Sequence, residues 1–406
     1  MLLIKFPSRA RPDKFLATLQ SYTSLCQDKT RTCFLITLDT DDATMVNKHD
    51  EIHQLLTDFQ HKIIYGTSTG KIDAINRDMD DSGNWDILLL ASDDMIPQVH
   101  GYDQIIRNKM NEFYKNTDGV LWFNDGYAGN KLNTLVCMGR KYYNRFNYIY
   151  NPIYKSLFCD NEFMDIANQL KKQTYFEEVI IKHEHPANTG SGQDELYAVN
   201  DKYWNEDERT YFHNKHYDFD LSVLICALTE RKKLLTNLLR EIDLFKRKSK
   251  LRVEVLFDLD NRQKSVGQKR NDLVAKAKGR YCCFIDDDDQ ITPLYFTEIE
   301  RALQSNPDCV SMIGIFYENG KPIKPFVHTL ECESYHEDQE AFYRPPNHIN
   351  PILTGFVKRI GFPIKNYGED TDFAMRLCHA KLLKTEGQVE EPIYHYFYVS
   401  NKLQCL

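Results

Sequence analysis

The feature that most constrains this chain is a single order of elements written twice, with a period of about half its length. The first copy opens with the apolar run Leu2 to Phe6 and the polar turn PSRARPD. An apolar-periodic helix to about Leu25 and the strand CFLIT, ending at Asp39, come next. The second copy opens with LSVLICAL from Leu221, the turn TERKK, and a helix in which Leu234, Leu235, Leu238, Leu239, Ile242 and Phe245 share one face. VEVLF follows and ends at Asp258. Each copy then has a glycine-led basic stretch entering a helix: Gly70, Lys71 and Asn76 in GKIDAIN, and Gly267, Lys269, Arg270 and Asn271 in GQKRN. After that helix an apolar strand runs straight into acidic residues, as ILLLASDDM and as YCCFIDDDD.

Strands alternating with helices predict an α/β chain of two tandem Rossmann-like domains with mainly parallel central sheets, which hold ligands beyond the carboxyl ends of the strands. The stretch DKYWNEDERTYFHNKHYDFD reads as a closing helix and short linker, giving domains 1–217 and 218–406. A length of 406 residues exceeds one ordinary core, and 42% hydrophobic residues supply two. The formal charge of -8 disfavours nucleic acid as a partner, because a broad basic face is what neutralises phosphates. No apolar run reaches the roughly 18 residues that span a bilayer, and the N-terminus turns polar after Phe6. The expectation is a cytoplasmic protein with neither signal peptide nor membrane anchor. The eleven cysteines are scattered without C-x-x-C spacing, as expected of reduced thiols that pack as small hydrophobes.

Carboxylates at the tip of an apolar strand repel one another unless a cation sits between them. Magnesium or manganese, one ion per active domain, suits Asp94, and Asp288 with Asp289. A lone Asp-Asp is more often a solvated helix-capping turn. Two clusters at the same point of two repeats, each followed by proline (Pro97, Pro293), favour the cation.

A second acidic motif follows in each copy: FCDNEF with Asp160 and Glu162, and YGEDTDF with Glu369, Asp370 and Asp372. A histidine comes at a similar distance after each, His183 and His395, to complete the metal site, bond a phosphate oxygen, or serve structure alone. Sugar transfer from a nucleotide diphosphate needs a Lewis acid on the leaving group and a base at the acceptor hydroxyl. Asp160 and Asp370 are the candidate bases, with Glu369 beside the second. Asp39 and Asp258 end the second strands, where they either bind a nucleotide or cap a loop. Ser8, Arg9, Lys71 and Asn76, and Thr229, Arg231, Lys269, Arg270 and Asn271, complete candidate nucleotide-sugar sites with Asp93, Asp286 and Asp287.

These residues resemble glycosyltransferase family 2, whose members have the GT-A fold. The second copy is the closer match, in LSVLICALTERKKLL, GQKRNDLVAKAKGRYCCFIDDDD and GEDTDF. The resemblance implies an inverting transfer from a nucleotide-sugar, with a divalent metal held at Asp288 or Asp289 and Asp370 as base. The acceptor would be a hydroxyl of a glycan, a lipid-linked or another acceptor, and the chain would be either bifunctional with one site per domain or one active module joined to a degenerate one. In the first copy Ser92 stands where many members carry the first acidic residue. Two other classes compete: a nucleotidyltransferase, which typically opens with a glycine-rich loop that neither PSRARPD nor TERKK supplies, and a non-catalytic carbohydrate-binding module with structural metal. Trp122, Asn124, Asp125, Tyr142 and Tyr143, and YRPPNHINP around Asn347 and His348, lie between the metal and base motifs on the acceptor side. Their aromatics either stack on sugars or pack in the core.

Overall fold

Two sheets built to one strand plan account for the duplicated order. The structure is a computed structural model that describes residues 1–190 and 195–400, and it divides into the units Met1–Lys215 and His216–Leu406. In the first unit the strands are β1 (Leu2–Ser8), β2 (Thr32–Asp39), β3 (Gln60–Gly66), β4 (Ile87–Leu90), β5 (Met95–Pro97), β6 (Val120–Phe123), β7 (Cys137–Gly139), β8 (Gln173–Phe176) and β9 (Ile181–His183). Seven of them form one sheet in the order β3-β2-β1-β4-β7-β6-β8. β1 to β4 are mutually parallel neighbours, while β7 runs antiparallel between β4 and β6.

In the second unit β10 (Phe219–Leu228), β11 (Val253–Asp260), β12 (Gly279–Phe284), β14 (Cys309–Val310), β19 (Ile352–Leu353) and β20 (Glu386–Gly387) form a sheet in the order β11-β10-β12-β19-β14-β20. Leaving out the edge strand β3, the two orders and all strand directions correspond, with β19 taking the antiparallel place of β7. A short antiparallel pair beside each sheet is duplicated too: β5 with β9, and β13 (Gln290–Ile291) with β21 (Tyr394–Tyr398). In the second unit that pair extends into a sheet with β15 (Met312–Glu318), β16 (Lys321–His328), β17 (His336–Glu337) and β18 (Phe342–Arg344).

The alternation of β-strand side chains puts a core on each face of the first sheet. Leu2, Ile4 and Phe6 of β1 pack with Ile36 and Leu89 against Phe15, Leu19 and Tyr22 of the helix Pro12–Ser24. Leu3, Leu35, Leu88 and Leu90 pack on the other face against Ile72 and Ile75. In the second unit Leu235, Leu238 and Ile242 are the buried face of the helix Lys232–Lys246. Full burial of such a side chain contributes roughly 1.5–3 kcal/mol. Leu234, expected on that face, is 44% exposed, because the stripe centres one residue further round the helix. Trp122, Tyr142 and Tyr143 are buried in the first unit, so packing is their observed role. The ten described cysteines are free thiols. Among the described residues no helix is long and apolar enough to cross a membrane.

Candidate active site

Backbone hydrogen bonds fix how the two acidic turns correspond. The Ala91 N–H donates to Lys5 O (2.8 Å) and that of Met95 to Ser92 O (3.1 Å). In the second unit Ile285 N donates to Leu224 O (3.1 Å) and Asp289 N to Asp286 O (3.1 Å). Ser92, Asp93 and Asp94 therefore match Asp286, Asp287 and Asp288, while Asp289 matches Met95. The middle aspartate of each turn meets an arginine from the loop after the first strand: Arg11 to Asp93 at 3.0 Å, and Arg231 to Asp287 at 2.7 Å. Burial raises the pKa of both aspartates, with the arginine opposing it. Arg231 also reaches Asp288 at 2.9 Å. Asp289 needs a correction as a metal ligand. It is turned inward, accepts bonds from Tyr394 Oη (2.9 Å) and Phe397 N (2.8 Å), and burial pushes its pKa up, next to Asp286. Such a carboxyl is structural.

The base motifs open equivalent helices, Cys159–Gln169 and Glu369–Ala380. Each follows an N-cap in the left-handed region, Phe158 (φ 59°) and Gly368 (φ 69°). A side chain there costs about 1–2 kcal/mol, offset for Phe158 by ring contacts with Trp204 and Tyr211. Asp160 and Asp370 thus coincide, whereas Glu369 has Cys159 as its counterpart. Burial raises the pKa of Asp160, with Lys71 and His183 near enough to oppose it.

Asn76 and Asn271, expected on the nucleotide, instead clamp backbone in the same way. Asn76 Nδ2 donates to Tyr150 O (2.7 Å) and its Oδ1 accepts from Ile149 N (2.8 Å); Asn271 Nδ2 donates to Phe362 O (2.8 Å) and its Oδ1 accepts from Phe362 N (2.8 Å). Each amide thus ties the helix that precedes the acidic strand to the segment leading into the base motif. With Gly70 and Ser265 as N-caps, Lys71 aligns with Val266, and Ile75 with Arg270. The two glycines are not equivalent. Gly267 lies inside its helix against the loop before the base motif, where a Cβ would fall 1.8 Å from Pro363 O. Gly267→Ala is therefore expected to force that loop away at a cost of about 1–3 kcal/mol, measurable as a lowered melting temperature. An unchanged melting temperature would refute this contact.

Arg270 is the centre of a buried charge network in the second unit. Its Nε donates to Glu369 Oε1 (3.2 Å) and its Nη2 to Asp286 Oδ1 (3.2 Å), while the guanidinium lies over the Phe284 ring. His348 Nε2 stands 3.4 Å from Asp286 Oδ2, and its Nδ1 stands 3.9 Å from Asp370 Oδ2. Burial opposes ionisation of Asp286, but Arg270 and His348 outweigh it and hold the carboxyl well below its ordinary range. In the first unit the corresponding residues are Ser92, Ile75 and Cys159. The carbonyl receiving the Leu90 N–H belongs to Val136, where that receiving Phe284 N–H belongs to His348. The whole network is replaced together. The sequence places His348 of YRPPNHINP on the acceptor side, and its nearness to both Asp286 and Asp370 is visible only in the structure.

The remaining candidates fall around these centres. Asp39 is buried and accepts from Arg9 (2.8 Å), Ser68 (2.6 Å) and Arg77 (3.0 Å). Its register partner in the second unit is Asp260 rather than Asp258, because β11 runs three residues beyond VEVLF. Asp260 pairs with the buried Lys269, whose Nζ also donates to Ala227 O (2.6 Å), and Asp258 pairs with Lys264. Thr229 Oγ1 donates to Asp260 O at 2.9 Å, and Ser8 Oγ is buried. His183 Nε2 is 3.6 Å from Asp94 Oδ2 and pairs with Met95 across β5 and β9. In β21 the partner of Gln290 is His395, so the place matching His183 is Tyr396. A one-residue offset turns a strand side chain to the opposite face, and His395 accordingly lies 5.3 Å from the Tyr317 ring. The correction places Tyr396, not His395, toward the acidic turn: burial and then Asp289 and Asp286 raise its pKa.

Residues 222–360 match the model of the family Glycosyl transferase family 2. No curated protein sequence matches the chain. Among solved structures, S. aureus TarS 1–349 in complex with UDP-GlcNAc is 16% identical, with 44% of this chain and 58% of that chain covered at a TM-score of 0.32. The mannosyltransferase PcManGT from Pyrobaculum calidifontis, in complex with GDP-Man and Mn2+, is 9% identical, with 52% and 62% covered at a TM-score of 0.41. The chain thus spans less than two thirds of either. The family model, rather than these distant likenesses, carries the assignment: residues 222–360 are a glycosyl transferase family 2 domain.

Proposed function

We propose that the C-terminal unit transfers a sugar, with inversion, from a nucleoside diphosphate donor to a hydroxyl of a glycan acceptor, with Asp370 as base. The observation that carries this reading is that Arg270 and His348 draw the acidic turn and the base motif into one cluster. The oxygen donors of Asp286 and Asp288 suit magnesium or manganese. Among the described residues no three His, Cys, Asp or Glu side chains form a metal cage, yet these ions need only one or two carboxylates besides diphosphate oxygens and water. Such an ion would supply charge neutralisation on the leaving diphosphate. Arg231, between Asp287 and Asp288, is placed to help.

The N-terminal unit, in this reading, is a second GT-A domain with its own site. Asp94 and His183 would hold its ion, Asp160 would be its base, and Arg9, Asp39 and Lys71 would line its nucleotide site. UDP-GlcNAc and GDP-mannose, each with and without manganese, are the first probes. Asp288→Ala is expected to abolish manganese-stimulated release of nucleoside diphosphate by the C-terminal unit, and Asp94→Ala that of the N-terminal unit. Full stimulation in the double variant would remove both metal assignments.

A further inference from the structure

His348 occupies a turn whose backbone is tied on both sides. Asn347 N donates to Asn350 Oδ1 (3.0 Å), Ile349 N to Asn347 Oδ1 (3.1 Å), and Asn350 Nδ2 to Val310 O (2.9 Å). The His348 carbonyl itself accepts from Phe284 N (2.8 Å), which anchors the residue to the strand that ends in the acidic turn. The residue is 7% exposed, so its ring has little room to turn. Nε2 meets Asp286 at 3.4 Å, while the buried Nδ1 makes no hydrogen bond and stands 3.9 Å from Asp370.

We propose that His348 is a positioning residue, a rigid spacer that sets the distance between the donor-binding turn and the base. An imidazole is planar, and its two nitrogens lie at a fixed separation. Standing between two carboxylates on different elements, it sets how closely one can approach the other. Transfer requires the activated hydroxyl to meet the anomeric carbon in line, and a misplacement of about 1 Å costs on the order of 10²-fold in rate. The first unit has Val136 and Ser92 in place of His348 and Asp286, so whatever site it holds is not spaced this way. The inference rests on the reading of Asp370 as base.

The test uses the full chain carrying Asp94→Ala, which silences the N-terminal site of the proposed reading, with manganese and either UDP-GlcNAc or GDP-mannose, following release of nucleoside diphosphate to water. His348→Ala is expected to lower kcat about 10²-fold while the donor KM stays within about threefold, the signature of lost alignment rather than lost binding. His348→Gln, which keeps a donor toward Asp286, is expected to recover about tenfold of that loss. Wild-type kcat in His348→Ala, or a raised KM at unchanged kcat, would overturn the proposal. If His348→Ala fails to fold by circular dichroism, His348→Gln decides alone: a lower kcat at constant KM supports the spacer and an unchanged kcat refutes it. Full turnover by Asp370→Asn would instead overturn the base assignment, as would absence of turnover in the wild type with both donors, so the two failures are told apart.

Discussion

Replacing Arg270 by leucine is expected to destabilise the C-terminal unit by about 3–5 kcal/mol, because it leaves the buried Glu369 and the half-buried Asp286 without their shared cation. The side chain is 4% exposed, and its partner Glu369 is 7% exposed. Asp286 loses its larger source of stabilisation at the same stroke. The expected signature is a C-terminal unfolding transition shifted to lower urea at constant slope. The first unit shows what completes the change, since Ser92, Ile75 and Cys159 stand in the equivalent places. The triple variant Asp286→Ser, Arg270→Ile, Glu369→Cys is therefore expected to recover at least about half of the single-variant loss, an interaction energy within the range for residues of one buried network. A triple variant less stable than Arg270→Leu would show that the three charges do not act as a unit.

The duplicated plan was readable because strand and helix periods are local properties, and because apolar strands ending in aspartate recur at matching places. What escaped the sequence were registers. Asp258 and Asp260 both lie in the alternating FDLD, and only pairing with β10 shows which of them matches Asp39. His395 and Tyr396 adjoin in β21, and only pairing with β13 shows which one matches His183. Asp286 to Asp289 read as one acidic run. The turn hydrogen bond from Asp289 N to Asp286 O separates three residues facing the site from one facing the core. The asparagines of the two clamps repeat visibly in the sequence, but there a half-buried amide satisfying backbone groups looks the same as one meeting a nucleotide.

The comparison of the two units also separates scaffold from chemistry. The clamps, the left-handed N-caps and the arginine on the middle aspartate occur in both and hold the shape of the strand ends. The network of Arg270, Asp286, Glu369 and His348 occurs in one unit only, so it is not required by the fold. Burying several charges is costly unless they are mutually satisfied. A cluster of this kind in one unit, replaced together in the other, is therefore most simply explained by the chemistry done there.

Asp370→Asn is the sharpest test of that chemistry. The substitution is close to isosteric, and Asp370 lies at the second position of its helix with 31% of its side chain exposed, so the fold should tolerate it. An amide cannot take a proton from an acceptor hydroxyl. With the base removed, kcat is expected to fall by about 10²–10⁴-fold, the usual contribution of general base catalysis, at a nearly unchanged donor KM. Asp160→Asn should leave that C-terminal activity intact, because in the proposed reading the two aspartates serve separate sites. Steady-state release of nucleoside diphosphate by both variants decides the matter. A kcat within about threefold of wild type for Asp370→Asn would mean that the proton leaves by another route and that this carboxylate only shapes the site.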